Sequence, residues 1–408
     1  MGRLSGLDAA FLSLETRARP MHLGAVAVFD GPVSQARLRA VIAERAARLP
    51  ALRVNGSWFP SWWPASDFDA ATHVHGFEVS DQRTFEAYAA GWLATPLDLS
   101  RPPWNVHVVT GLPDDRFAVL VKLHHSLADG AGAVALAGAL LDGGLPPTRA
   151  VGAAEFGLGE TAAMAGAVAR AVRMPSVPAM LTGPSSGGSA RRVAFVRLDL
   201  SDVRQIRRQH GGTTNDVVLA VLAGGLRGWL RSRDEPVDGL TPRALIPVNT
   251  RARGGAGGNQ LSGFLCDLPV GLADPIARLR AVRAAMDANK AAGPTRGAGT
   301  LPILANRLPS AVHRLCTGAV GLAAPLLFDT VVTNVSLPSM PLTVDGAPLA
   351  EIYPFAPLAP GHALGVAISS YRDAVHIGLQ TDRDAVPDID VLANAISKSC
   401  TTLHELAN

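Results

Sequence analysis

The stretch FAVLVKL, residues Phe117 to Leu123, restricts the possible folds of this chain more than any other feature. A near-continuous apolar run of this kind is typical of a β-strand that is buried on both of its faces. A strand with one solvated face would instead alternate between apolar and polar residues. The chain is therefore expected to cover the sheet that contains this strand with packed layers on both sides.

Strand and helix patterns alternate around this run. Met21 to Phe29 predicts a strand, and Val33 to Leu49 has apolar residues at helical spacing behind Ser34, a typical N-cap. The segment RPPWNVHVVTGL predicts a strand that begins after two prolines. The small-residue run AGAVALAGALLDGG predicts a helix that is stopped by Gly143 and Gly144. This mixture indicates an α/β protein.

The second part of the chain shows the same mixture. A helix is predicted after Ser201, and another over TTNDVVLAVLAGGLRGWLR with Thr213 or Thr214 as its N-cap. The predicted strands are Val193 to Leu198, Ala244 to Val248, Phe264 to Val270, Val331 to Val335, Ala363 to Ser370 and Val375 to Leu379. Both halves are thus mixed α/β, although no repeat is visible in the letters.

Length and composition divide the chain into two such halves. At 408 residues it exceeds the size at which one hydrophobic core usually stops growing. Between Gly144 and Arg191 the composition shifts to Pro, Gly, Ala and Ser, which is typical of a crossover or linker. We therefore predict an N-terminal domain over 1–145, a crossover over 146–191 and a C-terminal domain over 192–408.

Several classes of protein are disfavoured by composition. The net charge is only +3, and no block of basic residues is interleaved with aromatic residues, which argues against nucleic-acid binding. Three widely spaced cysteines fit a reducing compartment rather than a disulfide framework. No secretory signal is evident at the N-terminus, and the longest apolar stretch, Leu315 to Phe328, is shorter than the roughly 20 residues that span a bilayer. We expect a cytoplasmic protein, with peripheral contact at the inner membrane or at lipid droplets left open.

The polar residues of the stretch VKLHHSLADG follow the apolar strand directly. A histidine at a strand end is a candidate general base for removing a proton from a hydroxyl. Because neighbouring residues of a strand point to opposite faces, His124 and His125 are not expected to serve the same substrate atom, and one of them is structural. Adjacent histidines rarely bind one metal ion, and no other ligand cluster has a recognisable spacing, so no metal site is predicted. The match of GPSSG to G-x-S-x-G lies in the linker and is treated as chance.

HHSLADG matches the H-H-x-x-x-D-G motif of acyl-CoA-dependent acyltransferases, and the flanking text resembles the bacterial wax ester synthase/diacylglycerol acyltransferase family. LSGLDAAFLSLETRARPMHLGAVAVF is similar to the N-terminal signature of that family, and TPLDLSRPPWNVHVVTGL to its Pro-Leu-Trp segment. TTNDVVLAVLAGGLRGWL is similar to its Asn-Asp helix, and TNVSLPSMPLTVDGAPLAEIYPFAPL to its C-terminal Asn-Val-Pro region. The resemblance runs from about Leu4 to Leu392.

This resemblance implies a fold like chloramphenicol acetyltransferase, with two mixed α/β domains that meet along a tunnel. His125 would be the general base that deprotonates an acceptor hydroxyl as it attacks the thioester of acyl-CoA, without an acyl-enzyme. The acceptor would be diacylglycerol, giving triacylglycerol, or a long-chain alcohol, giving wax ester. Acyl-CoA is a co-substrate, and no cofactor is expected. A polyketide-type acceptor or a catalytically silent lipid-binding relative remain as alternatives.

Roles for the other motif residues follow from the resemblance or from their chemistry. Asn215, in the predicted helix, is a candidate oxyanion donor or helix cap, with Asn259 as a weaker candidate. The resemblance implies that Asp129 turns away from the substrate to pair with an arginine, for which Arg251 is the predicted partner. Gly130 is expected to allow a sharp turn and to leave space for the thioester.

Two further residues are expected to support the structure. Trp104 is predicted to position the strand that leads into the site, and Asp216 to place a negative charge at a helix N-terminus. Pro103 stands where the family usually has leucine, and Leu337 with Pro338 replaces a usual Pro-Gly pair. These departures are expected to shape the substrate tunnel.

Overall fold

The computed structural model describes residues 2–3, 6–55, 61–65, 67–144, 181, 190–249, 261–292, 324–338 and 340–407. The strands are β1 Gly2–Arg3, β2 His22–Phe29, β3 Val54–Asn55, β4 Ser61–Pro64, β5 Val74–Glu78, β6 Trp104–Leu112, β7 Arg116–His124, β8 Arg191–Asp199, β9 Arg243–Asn249, β10 Leu261–Asp267, β11 Thr330–Ser336, β12 Thr343–Val344, β13 Ala347–Phe355, β14 Leu364–Tyr371 and β15 Ala374–Asp382. The helices are α1 Gly6–Leu14, α2 Gln35–Ala47, α3 Gln82–Ala94, α4 Gly130–Gly138, α5 Leu200–His210, α6 Thr214–Arg231, α7 Pro275–Ala292 and α8 Ile389–Glu405. This mixed α/β architecture confirms the predicted fold class.

Two six-stranded sheets organise these elements. The first has the order β12-β13-β2-β7-β6-β5 and the second has the order β10-β9-β11-β14-β15-β8. Strand β7 lies inside the first sheet, antiparallel to both β2 and β6. Its residues from Phe117 to His124 are all buried, as the apolar run predicted. One face of β7 packs with residues of α2, and the other packs with residues of α3.

Strands β12 and β13 belong to the C-terminal part of the chain but complete the N-terminal sheet. Strand β13 pairs antiparallel with β2, in a register that sets Ile352 opposite Ala27 and Phe355 opposite Gly24. The predicted domain boundaries did not include this exchange, and they stay a prediction. The predicted crossover lies outside the described residues apart from 181 and 190–191. The exchange ties the two parts of the chain together at the sheet edge.

Two predicted element ends are wrong. Helix α4 ends at Gly138, well before Gly143, because the following segment is held by tertiary contacts: the Asp142 carboxylate accepts hydrogen bonds from Thr343 and from the backbone of Gly346. Strand β10 spans Leu261–Asp267, although the prediction continued to Val270. Pro269 has no N–H to donate to a ladder, which is consistent with this earlier end.

Other predicted features agree with the structure. Ser34 caps α2 by accepting from the backbone of Arg37, and Thr213 caps α6. Among the described helices, none combines the length and the apolar character that crossing a bilayer requires.

Candidate active site

A cavity of about 670 Å³ lies between the two sheets. Residues of α1, β2, β7 and α4 form its wall on the N-terminal side, and residues of β9, β11 and 354–360 form much of the opposite wall. The polar residues that line it are His125, Asp129, Thr333, Asn334, Ser336 and Ser369. A large apolar cavity with a few polar groups is the usual form of a site for a lipophilic ligand. The cavity agrees with the predicted tunnel between two halves.

His125 follows β7 directly and lines this cavity. Its backbone N–H donates to the carbonyl of Met21 at 2.9 Å, which continues the pairing of β7 with β2 by one residue. Its ring stacks on Phe11, with centroids 3.8 Å apart and planes 19° apart. These two contacts fix both the backbone and the plane of the imidazole.

Burial controls the protonation of His125. The residue is only 8% exposed, and its pKa is lowered to about 4, chiefly by desolvation; a hydrogen bond with its own backbone opposes this shift, and the proximity of His124 adds to it. Removal from water disfavours the charged imidazolium. At neutral pH the ring is therefore uncharged and able to accept a proton.

His124 faces the other side of the sheet and does not line the cavity. Its Nε2 lies 2.5 Å from Oε2 of Glu15, and its Nδ1 accepts a hydrogen bond from the backbone N–H of Ser126 at 3.2 Å. Because Nδ1 accepts, Nε2 is the nitrogen that carries the hydrogen and donates to Glu15. The two neighbouring histidines thus point to opposite faces, as predicted, and the His124 ring is held by Glu15 and Ser126.

Glu15 and Lys122 belong to this second face and were not recognised from the sequence as site residues. The Lys122 ammonium donates to the carbonyls of Trp92 and Thr95 at 2.6 and 2.8 Å, at the end of α3. Burial lowers its pKa to about 7, an effect that the Glu15 carboxylate opposes. The sequence signals for this arrangement were a lysine inside an otherwise apolar run and the position of Glu15 within the N-terminal signature.

Asp129 and Gly130 begin helix α4. Asp129 is 2% exposed, and its Oδ1 accepts from the backbone N–H of Gly132 at 2.8 Å, as an N-cap does. Its predicted partner Arg251 lies outside the described residues, so that pair stays a prediction. The sharp turn predicted at Gly130 is wrong, because this residue is the first of a helix and has no left-handed φ. A Cβ there would meet no atom within 4 Å, so the position leaves open space beside the cavity.

Asn215 and Asp216 lie in the first turn of α6. Oδ1 of Asn215 accepts from Nδ2 of Asn334 at 3.2 Å, and Asn334 is the one of the two that lines the cavity. Asp216 is fully buried and completes a capping box with Thr213, which gives it the structural position that was predicted. The weaker candidate Asn259 lies outside the described residues.

Trp104 is buried at the start of β6, opposite Leu123. Its indole N–H donates to the carbonyl of Leu52 at 2.8 Å, and its ring stacks on His73 with centroids 4.6 Å apart. It therefore lies beside the strand that leads to the histidines, where a positioning role was predicted. Leu337 and Pro338 line the cavity as expected, but Pro103 does not. The carbonyl of Pro103 instead accepts a hydrogen bond from the backbone N–H of His124.

Within the described residues, no group of three or more His, Cys, Asp or Glu side chains is placed to hold a metal ion. Cys266 and Cys400 are free, buried thiols, and burial raises the pKa of each to about 12. Among the described residues that line the cavity, the titratable side chains are His125 and Asp129, and His125 is the candidate base.

Comparison with known proteins agrees with this geometry. The chain is 32% identical to a probable diacylglycerol O-acyltransferase of Mycobacterium tuberculosis, over 99% of this chain and 96% of that protein. It superimposes on the wax ester synthase/diacylglycerol acyltransferase from Marinobacter aquaeolei VT8 with a TM-score of 0.77 and 26% identity, over 100% of both chains. The trichothecene 15-O-acetyltransferase from Fusarium sporotrichioides shares the fold, with a TM-score of 0.66 at 13% identity, over 98% of this chain and 95% of that one.

The wax ester synthase/diacylglycerol acyltransferase catalytic domain matches residues 4–150 and 144–218, and the C-terminal domain of the same family matches residues 257–404. Together these matches span most of the chain. The protein belongs to the wax ester synthase/diacylglycerol acyltransferase family.

Proposed function

We propose that His125 is the general base of an acyl transfer from acyl-CoA to the hydroxyl of diacylglycerol or of a long-chain alcohol. The reaction class follows from family membership: the protein is an acyl-CoA-dependent O-acyltransferase that makes triacylglycerol or wax ester. We assign this role to His125 because it is the only histidine that lines the cavity within the described residues.

The low pKa of His125 restricts the mechanism. An alcohol is far more weakly acidic than an imidazolium whose pKa is about 4, so the hydroxyl cannot lose its proton before it attacks. The proton moves to the imidazole as the C–O bond to the thioester carbonyl forms. Collapse of the tetrahedral intermediate then breaks the C–S bond, and the imidazolium returns the proton to the departing CoA thiolate. No acyl-enzyme and no cofactor other than the co-substrate acyl-CoA enter this scheme.

The nitrogen that acts as the base is expected to be Nε2. Nδ1 of His125 is buried, and the ring makes a hydrogen bond with its own backbone. The stacked ring of Phe11 prevents the imidazole from tilting out of this plane. A fixed orientation of the base is a large part of the advantage of general base catalysis in a protein.

The oxyanion of the tetrahedral intermediate needs a hydrogen-bond donor. We assign this role to the amide pair of Asn215 and Asn334, in which Asn334 faces the cavity and Asn215 holds it by accepting from Nδ2. A donor of this kind is typically worth about 10²-fold to 10³-fold in kcat. The sequence assigned the role to Asn215 itself; in this proposal Asn215 is the positioning residue.

The substrates also suggest where the protein works. Diacylglycerols and long-chain alcohols are held in membranes or lipid droplets, so peripheral binding to such a surface, from the cytoplasm, is part of the proposal. Cosedimentation of the full chain with vesicles that contain diacylglycerol would test it, and protein that stays in the supernatant would contradict it.

The decisive experiment offers purified full-length protein palmitoyl-CoA with 1,2-dioleoylglycerol or with hexadecanol, and follows both free CoA and the lipid product. We expect acceptor-dependent release of CoA that His125→Ala abolishes. His376→Ala is the matched control, because His376 is also buried, burial lowers its pKa to about 4 as well, and it lies outside the cavity lining. No turnover with either acceptor would contradict the proposed function, and full activity of His125→Ala would contradict the role of the base.

A further inference from the structure

Strands β9 and β11 are neighbours in the C-terminal sheet, but they pair over only two residues of each. Thr330 pairs with Ala244, and Val331 pairs with Leu245. Beyond these pairs, β9 continues to Asn249 on the β10 side and β11 continues to Ser336 on the β14 side. The sheet therefore opens between 246–249 of β9 and 332–336 of β11, and we call this opening the β9–β11 fork.

Pro247 explains why the ladder stops at this point. Backbone N–H groups that face one edge of a strand recur at every second residue. Pro247 lies two residues after Leu245, the last residue of β9 that pairs with β11, and it has no N–H to donate. A proline inside a strand that has neighbours on both sides is unusual, and it ends the pairing on the edge where its N–H is missing.

The cavity that contains His125 extends into this fork. Leu245 and Pro247 line it from β9, and residues of β11 line it from the other side. Three of the β11 residues are polar, namely Thr333, Asn334 and Ser336. The other lining residues with polar side chains are His125, Asp129 and Ser369, and the Ser369 hydroxyl already donates to the carbonyl of Ile352 at 2.7 Å. Apart from His125, Asp129 and the Asn334 amide that is assigned to the oxyanion, two of the three polar lining side chains, Thr333 and Ser336, therefore lie at the fork.

Two of the three polar side chains of the fork, Thr333 and Ser336, are not bonded within the described part of the chain, whereas Asn334 donates to Asn215. Within the described part of the chain, the hydroxyls of Thr333 and Ser336 make no hydrogen bond, and β11 beyond Val331 has no ladder partner on the β9 side. Thr333 is partly buried and Ser336 is exposed, so water can hydrogen-bond to these hydroxyls in the unliganded protein. A molecule that enters the fork is favoured if it brings its own acceptors and donors.

We propose that the β9–β11 fork binds the glycerol ester portion of the acceptor and thereby selects diacylglycerol over a long-chain alcohol. This inference rests on the proposed acyl transfer at His125. A diacylglycerol brings two ester groups in addition to its reacting hydroxyl, and these can accept from the Thr333 and Ser336 hydroxyls and from the open edge of β11. A long-chain alcohol has a single hydroxyl, which the reaction at His125 occupies, so it gains nothing from polar groups in the fork.

The test measures kcat/KM for 1,2-dioleoylglycerol and for hexadecanol, each with palmitoyl-CoA, in the full-length protein. The double variant T333V/S336A removes the two hydroxyls and nearly preserves side-chain volume. We expect the ratio of kcat/KM for 1,2-dioleoylglycerol to kcat/KM for hexadecanol to fall by roughly tenfold to thirtyfold, because two hydrogen bonds to diacylglycerol are lost. The matched control is S397A/T401V, which makes the same types of change on the exposed surface of α8. The control should leave this ratio unchanged.

A second variant tests the fork through the backbone. Pro247→Val supplies the missing N–H, which allows β9 and β11 to pair for longer and narrows the opening, so the same ratio should fall again. If both fork variants leave the ratio within about twofold of the wild-type value, or lower both activities equally, the proposal is overturned while the acyltransferase function stands. Absence of turnover in the wild-type protein would instead count against the function itself.

Discussion

The two faces of β7 give neighbouring residues opposite environments. On one face Val121, Leu123 and His125 border the cavity, and the only ionisable group among them is kept neutral by burial. On the other face Lys122 and His124 are held by carbonyl and carboxylate groups. The strand thus places the polar side chains that bind other protein groups behind the sheet, and His125 is the ionisable side chain that it presents to the cavity.

The largest effect that would test this comparison is expected from His125→Ala. Loss of a general base typically costs about 10²-fold to 10⁴-fold, and we expect kcat to fall by that factor with little change in Tm. Turnover assays and thermal unfolding of the same preparation check this. If His125→Ala lowers Tm but keeps the wild-type kcat, His125 has a structural role like that of His124.

Acid should weaken the whole fold, because several histidines are buried in the neutral state. Burial lowers the pKa of His125 and of His376 to about 4 in the folded protein, against about 6.5 when unfolded. Between these values the unfolded chain binds more protons, so the free energy of unfolding falls as the pH drops from about 6.5 to about 4. Each histidine accounts for on the order of 3 kcal/mol.

Urea unfolding measured between pH 7 and pH 4.5 checks this dependence. The double variant H125A/H376A should show a flatter dependence on pH than the wild-type protein. An equally steep dependence in both proteins would show that other groups are responsible.

On the second face, His124→Ala is expected to reduce stability rather than chemistry. The variant leaves the Glu15 carboxylate, 11% exposed, without the imidazole that lies 2.5 Å from it. A buried group that loses its partner costs about 1–3 kcal/mol, which denaturant unfolding can measure. Activity per folded molecule should stay within a few-fold of the wild-type value. A loss comparable with that of His125→Ala at unchanged stability would remove the distinction between the two faces.

The smallest effect is expected at Gly130. Because Gly130 is the first residue of α4 and a Cβ would meet no atom there, Gly130→Ala should not destabilise the protein and should gain up to about 1 kcal/mol of helix propensity. The added methyl group projects beside the cavity, so kcat/KM should decrease. A clear drop in Tm would show that the glycine is needed for the backbone after all.

Features encoded by nearby residues were predictable from the sequence. The strand at Phe117, its buried character and the opposite directions of His124 and His125 follow from an apolar run and from the two-residue period of a strand. The capping of α6 by Thr213 follows from local hydrogen bonding. The candidate base came from a motif that occupies one short segment.

Features that depend on distant residues were not predictable. The contact of Glu15 with His124 joins residues 109 positions apart, and that of Asp142 with Gly346 joins residues 204 positions apart. Neither pair leaves a periodic signal in the sequence. The end of α4 was misplaced for this reason, since the contacts of Asp142 outweigh the helical propensity of the residues before it.

The position of β13 in the N-terminal sheet sets an order of events during synthesis. The edge of β2 stays open while more than three hundred further residues leave the ribosome, because its partner begins only at Ala347. Val344, Leu349 and Ile352, which line the cavity, arrive with that late segment. A nascent chain that ends before β13 can form most of this sheet, but it cannot enclose a lipid. Completion of the cavity wall therefore has to wait until β12 and β13 have been synthesised.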